Sequence, residues 1–176
     1  MSNSGANRSQ IFENLETIKV SFGYEYHTVT STTEYFIQPN EPLAEAFQST
    51  LNSISGNCII CKNLQEAITE TKNIIGSEAV YCTNEDISKI LFNNAIPFDS
   101  NNDFARTAKI SITSCEALSA RTGSVIVSSV QINGRRAISA PETHIVLAYE
   151  NQIYTDLPQV IEILEKKYEK EYPSQI

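Results

Sequence analysis

The sequence predicts an α/β domain with a mostly parallel central sheet, helices on both faces of that sheet and a β-rich second half. Between residues 40 and 93, apolar residues at helical spacing alternate with short, continuously apolar segments, which is the pattern of buried parallel strands. From residue 109 onward, apolar segments follow one another closely, which predicts further strands. The length of 176 residues suits one domain of ordinary size.

A separate N-terminal region is expected before this domain. Residues 1–39 comprise a polar tail, a short amphipathic helix over about 8–19 and an aromatic-rich segment over 20–39. The aromatic rings either pack as a lid on the core or form an ordered loop over a site. The α/β domain itself is assigned to residues 40–176.

The first half of the domain contains three helices, each predicted from its first residues. Pro42 begins the first helix, Asn63 with Glu66 forms a capping box for the second, and Thr83 with Asp86 caps the third. Two buried strands are predicted between these helices, at Cys58–Cys61 and Ala79–Cys82.

The second half reads as strands followed by one helix. Asn133-Gly134 is a hairpin signal, and Asp156 caps a final helix with Gln159 three residues on. The predicted strands are Lys109–Thr113, Ser124–Ser128, Arg135–Ser139 and His144–Ala148.

Charge excludes some classes of partner. The net charge is −8, which argues against binding to nucleic acid or to an anionic membrane surface. No stretch is apolar enough to span a membrane and the polar N-terminus is not a secretory signal, so a cytoplasmic location is expected. Residues 104–147 nevertheless carry five basic and two acidic side chains. They form either a local anion-binding face or solvated strand ends paired with carboxylates.

The cysteines and histidines predict no metal site in this chain. The only two histidines, His27 and His144, are far apart in sequence. Cys58 and Cys61 match a CxxC pattern, but they flank an apolar segment instead of opening a helix, where the thiol pKa would be lowered. Structural thiols are therefore expected. Because a cytosolic domain of this size can be stabilised by its core, disulfides are not required.

Between residues 110 and 157 the sequence resembles the LUD (lactate-utilisation) family, and specifically its lactate-utilisation protein C branch. The matching positions follow the family's order and spacing, and the resemblance covers about residues 43–170. These positions are Ile112-Thr113, Glu116, Thr122-Gly123-Ser124, Val127-Ser128-Ser129, Gly134-Arg135, Ser139, Pro141, His144-Ile145, Gln152-Ile153 and Asp156-Leu157.

The resemblance implies a three-layer α/β fold like that of the NagB/RpiA/CoA-transferase group. It also implies an accessory role in oxidising L-lactate to pyruvate, with no cofactor in this chain and an iron–sulfur cluster on a partner subunit. The chain departs from the family pattern at two positions. Arg121 stands where family members usually have Glu before Thr-Gly, and Ser114 stands where they have Gly or Ala after Thr. The charge reversal at Arg121 leaves the substrate open.

Within this segment, Glu116 and His144 are the catalytic candidates. Glu116 either acts as a general base or substrate ligand, or it satisfies backbone N–H groups or pairs with Arg135. His144 is either an acid–base group or a hydrogen-bonded wall residue. The candidate ligand-binding residues are Thr113, Arg121, Thr122, Gly123, Gly134 and Arg135.

Three functions remain in competition. The first is the accessory subunit of the lactate-oxidising system. The second is an autonomous enzyme or binding protein for a small carboxylated or phosphorylated ligand, such as a nucleotide or a CoA ester, which rests on analogy between folds. The third is a structural or regulatory domain with a degenerate site, for which Arg121 is the main argument.

Overall fold

A computed structural model describes residues 41–130 and 136–169, together with Pro173 and Ile176. The predicted helix over 8–19, the aromatic segment 20–39 and the boundary at residue 39 lie outside the described residues. So do the Asn133-Gly134 turn and Arg135.

Five α-helices lie within the described residues, and two of them begin at N-caps that the sequence predicts. Asn63 accepts a hydrogen bond from the Glu66 N–H (2.9 Å) and Asp156 accepts one from the Gln159 N–H (3.2 Å), which confirms both predicted N-caps. Short 3₁₀ turns lie at Phe104–Arg106 and Glu150–Gln152. The helices are α1 (Leu43–Ser53), α2 (Leu64–Ile75), α3 (Glu85–Asn93), α4 (Arg136–Ser139) and α5 (Leu157–Lys167).

The strands of the described residues form two sheets. They are β1 (Val80–Tyr81), β2 (Phe98–Asp99), β3 (Ile110–Thr113), β4 (Ala117–Ser119), β5 (Ser124–Ile126), β6 (Thr143–Val146) and β7 (Ile153–Tyr154). The four-stranded sheet has the order β2-β1-β3-β6, and all its pairs are parallel. The three-stranded sheet has the order β5-β4-β7, with β4 antiparallel to β5 and parallel to β7. The predicted α/β class with a mostly parallel central sheet is confirmed.

The two faces of the four-stranded sheet differ in chemistry. One face carries Ile110 and Ile112, which pack in an apolar cluster with Ile68 and Ile75 of α2 and Leu91 of α3. Because side chains alternate along a strand, the neighbouring residues of β3, Ser111 and Thr113, point to the other face, where α4 lies. Both are buried. The sheet is therefore apolar towards α2 and α3 and polar towards α4.

Two predicted strands are wrong. Residues 56–61 form no strand, and Ile59 and Ile60 each remain 45% exposed, because an apolar run becomes a strand only where a neighbouring strand can pair with it. The predicted strand Arg135–Ser139 is α4 in its described part. The Ala140 N–H donates to the Arg136 carbonyl (3.1 Å) and the Ser111 hydroxyl donates to the Ala137 carbonyl.

The cap of the third helix is displaced by one residue from its predicted position. Asn84, and not Thr83, is the N-cap of α3, and its Oδ1 accepts from the Ile87 N–H (2.9 Å). Strands β2, β4 and β7 have only two or three residues each and were not predicted. Among the described residues, no helix is long and apolar enough to cross a membrane.

Candidate functional site

Glu116 lies at the centre of a cluster that joins β4, β5 and α5. Its N–H donates to the Ile126 carbonyl (2.7 Å), which fixes the residue beside the antiparallel β4–β5 pair. The Ser128 hydroxyl donates to Glu116 Oε1 (2.5 Å), and the Tyr168 hydroxyl donates to the same oxygen. Lys167 Nζ donates to Oε2 (2.6 Å). All three donors converge on one carboxylate whose side chain has no exposed surface.

These contacts keep Glu116 ionised. Burial alone raises the pKa of this carboxyl, but the hydrogen bonds from Lys167, Ser128 and Tyr168, together with the Lys167 charge, outweigh burial and hold the pKa below its usual value. A carboxylate with a lowered pKa that is saturated by three donors is a weak base. The geometry therefore makes Glu116 an anchor for the end of α5.

No local sequence pattern indicates that these three residues are partners of Glu116. Ser128, Lys167 and Tyr168 lie 12, 51 and 52 residues from Glu116. Lys167 and Tyr168 occupy the last position and the C-cap of α5, where a lysine is ordinary because it also favours the helix dipole. Only the packing of α5 against the three-stranded sheet, with Val160 and Leu164 beside Ala117, brings them to the carboxylate.

Thr113 and His144 form a second pair, on the polar face of the four-stranded sheet. The parallel register places His144 opposite Ser111, and Thr113 follows two residues later on the same face. Thr113 Oγ1 and His144 Nε2 lie 2.8 Å apart. Burial lowers the pKa of His144, so the imidazole is neutral at neutral pH and can take up or pass on a proton.

Residues 121–123 form the turn between β4 and β5. Arg121 is exposed and its N–H donates to the Thr155 carbonyl (3.0 Å). The Thr122 hydroxyl donates to Ser119 Oγ (2.8 Å). Gly123 has a φ of +62°, and a Cβ placed on it would lie 2.9 Å from the Leu51 backbone nitrogen. The close approach at Gly123 is thus made by the last turn of α1.

The basic side chains of residues 104–147 lie on separate elements. Lys109 Nζ pairs with Glu78 Oε1 at 2.8 Å. Arg106 ends a 3₁₀ turn and Arg136 begins α4, and both are exposed. Gly134 and Arg135, two of the predicted ligand-binding residues, lie outside the described part of the chain. The anion-binding face stays a prediction.

Desolvation keeps the four thiols protonated. Burial raises the pKa of Cys58, Cys61 and Cys82, and it raises that of Cys115 to about 12. All four cysteines are free. Within residues 41–130 and 136–169, no three His, Cys, Asp or Glu side chains come together as metal ligands would.

One contact that the sequence analysis missed lies at the carboxyl ends of β1 and β3. Asn84 Nδ2 donates to Ser114 Oγ at 3.2 Å. The sequence did contain a signal for this contact, because Asn84 and Ser114 each follow a parallel strand closely. The carboxyl ends of parallel strands meet at one edge of a sheet.

Comparisons with known proteins agree with this architecture. Residues 92–174 match the family model described as the LUD domain. A crystal structure of a DUF162 family protein from Deinococcus radiodurans is similar in fold, with a TM-score of 0.58 and 17% sequence identity. The similarity covers 77% of this chain and 87% of that one. No curated protein matches the chain.

Proposed function

We propose that this chain, a LUD domain protein over residues 92–174, is a lactate-utilisation protein C-like accessory subunit. The LUD family is linked to lactate utilisation in general. Beyond this general link, we propose that the chain belongs to the protein C branch of the family. Its partner would be an iron–sulfur subunit that takes the electrons when L-lactate is oxidised to pyruvate.

The state of Glu116 is the observation that carries the proposal. Oxidation of L-lactate needs a base for the hydroxyl proton and an acceptor for a pair of electrons. Glu116, the only charged residue among the buried ones described, is already saturated by Ser128, Tyr168 and Lys167. The residue that best matched a catalytic carboxylate therefore holds the end of α5 in place, and this supports an accessory role for the chain.

The thiols support the same proposal. An iron–sulfur cluster needs several thiolates at one place. Here all four thiols have raised pKa values, and Cys82 and Cys115 are buried. These four thiols do not supply the thiolates that such a cluster needs. We therefore assign the cluster to the partner subunit.

The test combines a biochemical assay and a genetic one. The purified chain, incubated with L-lactate and a dye electron acceptor, is expected to leave the dye oxidised. Inactivation of the gene is expected to abolish growth on L-lactate but not on pyruvate, and the intact gene supplied in trans should restore growth. Lactate oxidation by the isolated chain would refute the accessory role. Undiminished growth on lactate after inactivation would refute the lactate role altogether.

The partner is tested by co-expression with the iron–sulfur subunit of such a system. The two chains are expected to co-purify, with the visible absorption of the cluster in the complex. Separate elution of the two chains contradicts the proposal.

A ligand-binding function is the second candidate, and the Thr113–His144 pair favours it. A neutral imidazole held by a threonine hydroxyl can orient a carboxylated or phosphorylated ligand such as a nucleotide or CoA ester. A thermal-shift panel of these compounds tests this function, because a ligand raises the melting temperature with its concentration. His144→Gln, which removes the imidazole from this pair, should reduce the rise. An unchanged melting temperature across the panel contradicts this function.

A further inference from the structure

A groove lies between the outer surface of α3 and strand β2, and we call it the α3–β2 groove. It has a volume of about 370 Å³, and its lining includes two aromatic rings, Phe92 and Phe98. Strand β2 is the last described strand on this side of the four-stranded sheet. The groove therefore lies at the margin of the described fold and not in its interior.

The two aromatic residues of the groove are held differently. Phe98 packs partly against the apolar cluster between the sheet and the helices α2 and α3, so it forms a fixed floor. Phe92 is 77% exposed, more than any other large apolar side chain described. The residues that attach α3 to the sheet, Ile87 and Leu91, are buried on its inner face. The Phe92 ring is therefore not needed to hold α3 in place.

The open shape of the groove suits a protein side chain better than a free small molecule. Pockets for small molecules enclose most of the surface of their ligand, whereas the Phe92 ring remains largely in solvent. Protein interfaces are enriched in aromatic residues, and a few such rings carry most of the binding energy. We therefore expect Phe92 to anchor a contact with another protein.

The charge around the groove indicates the class of partner. Three exposed carboxylates lie in the lining or directly beside it along the chain, those of Glu85, Asp86 and Asp99. Lys89, a cation in the same lining, pairs with Glu85 at 3.0 Å. The surface is thus negative, as is the whole chain with its net charge of −8. A second copy of this chain would be repelled, whereas a basic protein surface would be attracted.

We infer that the α3–β2 groove is the docking surface for the iron–sulfur subunit, which meets it with an apolar side chain flanked by lysine or arginine residues. The inference rests on the proposed function, since that function supplies the partner. Phe92 and Phe98 receive the apolar side chain, and Glu85 and Asp99 face the flanking cations. Burial of Phe92 supplies most of the affinity, while the charges accelerate association and make it sensitive to salt.

Titration calorimetry of the full chain with the iron–sulfur subunit tests the aromatic anchor. Phe92→Ser should weaken binding at least about tenfold, because it removes the ring that the interface buries. Ile161→Ser is the matched control, since Ile161 is also an exposed apolar residue on a helix, α5, and it should bind like the wild type. Circular dichroism checks that both variants are folded.

A second pair of variants tests the charge. Glu85→Lys should weaken binding at low salt about tenfold, and its affinity should depend less on salt than that of the wild type. Glu162→Lys makes the same change of charge at an exposed position of α5, and it should leave the affinity unchanged. Equal weakening by these two variants would show that only the net charge matters and would contradict the assignment of the groove.

The outcomes separate this inference from the proposed function. If the wild-type chain does not bind the iron–sulfur subunit, the proposed partner and this inference are both wrong. If the wild type binds and Phe92→Ser binds equally well, the inference is wrong while the proposed partner stands. Analytical ultracentrifugation of the chain alone should show no self-association through the groove. Self-association that Phe92→Ser abolishes would assign the groove to a second copy and overturn the inference.

Discussion

Replacing Glu116 by glutamine is expected to destabilise the protein by about 2–3 kcal/mol. A hydrogen bond to a charged group contributes about 1.5–3 kcal/mol to stability, and Glu116 receives three of them in a site without solvent exposure. Lys167 is half exposed, so its pair counts as a surface pair worth about 0–1 kcal/mol. Glutamine keeps an acceptor for Ser128 and Tyr168, but a neutral one, so each of these two bonds weakens by about 1 kcal/mol. It also turns an amide donor towards Lys167, which removes the remaining pair.

The pH dependence of the unfolding free energy gives a second test of the same variant. The folded pKa of Glu116 lies below the ordinary value of 4.5, so the unfolded chain binds the proton more readily. The carboxylate's contribution to stability is therefore complete above about pH 4.5 and lost as the pH falls through the folded pKa. Because glutamine does not titrate, the stability difference between wild type and Glu116→Gln should shrink across this range.

Urea unfolding followed by far-UV circular dichroism measures both effects, since the chain has no tryptophan to report by fluorescence. Glu78→Gln is the matched control, because Glu78 also pairs with a lysine, Lys109, at 2.8 Å, but its side chain is 48% exposed. The control should cost less than about 1 kcal/mol. Equal losses for the two variants, or a Glu116→Gln difference that does not change with pH, would refute the assignment of Glu116 as a buried anchor.

Three further predictions follow from single positions. Gly123→Ala should lower the unfolding free energy by about 1–3 kcal/mol, since a Cβ there meets the Leu51 backbone at 2.9 Å; a wild-type urea midpoint would contradict the packing of α1 on this turn. The lowered pKa of His144 predicts that its contribution to stability falls as the pH drops below about 6.5, and His144→Gln should remove that slope. In a thiol-labelling assay at neutral pH, buried Cys82 and Cys115 should react only after urea is added, and labelling of either in the folded protein would be the contrary result.

The sequence predicted several residues of the candidate site, but it did not predict the role of Glu116. Thr113, Glu116 and His144 were selected from the sequence, and the structure places Thr113 and His144 in contact at 2.8 Å. The role of Glu116 depends on Lys167 and Tyr168, two residues at the end of a helix more than fifty positions away. No local pattern encodes a contact at such a separation, so an acid–base reading and a structural reading of Glu116 looked alike in the sequence.

Gly123 makes a related point about the turn that it occupies. Gly123 was selected from the sequence as a candidate ligand-binding residue. Its φ of +62° is one that favours glycine, and its close neighbour is the backbone of α1 at Leu51. Which group approaches a glycine is a property of packing, because helix and turn are more than seventy residues apart in the chain.

The sequence by itself determined the local elements of this protein. Asn63 and Asp156 each cap a helix through a bond to an N–H three residues on, and such short-range hydrogen bonds are encoded by adjacent side chains. Tertiary structure alone decided which apolar segments became strands. Cys58–Cys61 pairs with no strand among the described residues. The described part of Arg135–Ser139 is a helix that accepts a hydrogen bond from Ser111. The two-residue strands β2 and β7 formed beside β1 and β4. The physical reason is that a helix satisfies its backbone from within, whereas a strand needs a neighbour that another part of the chain must supply.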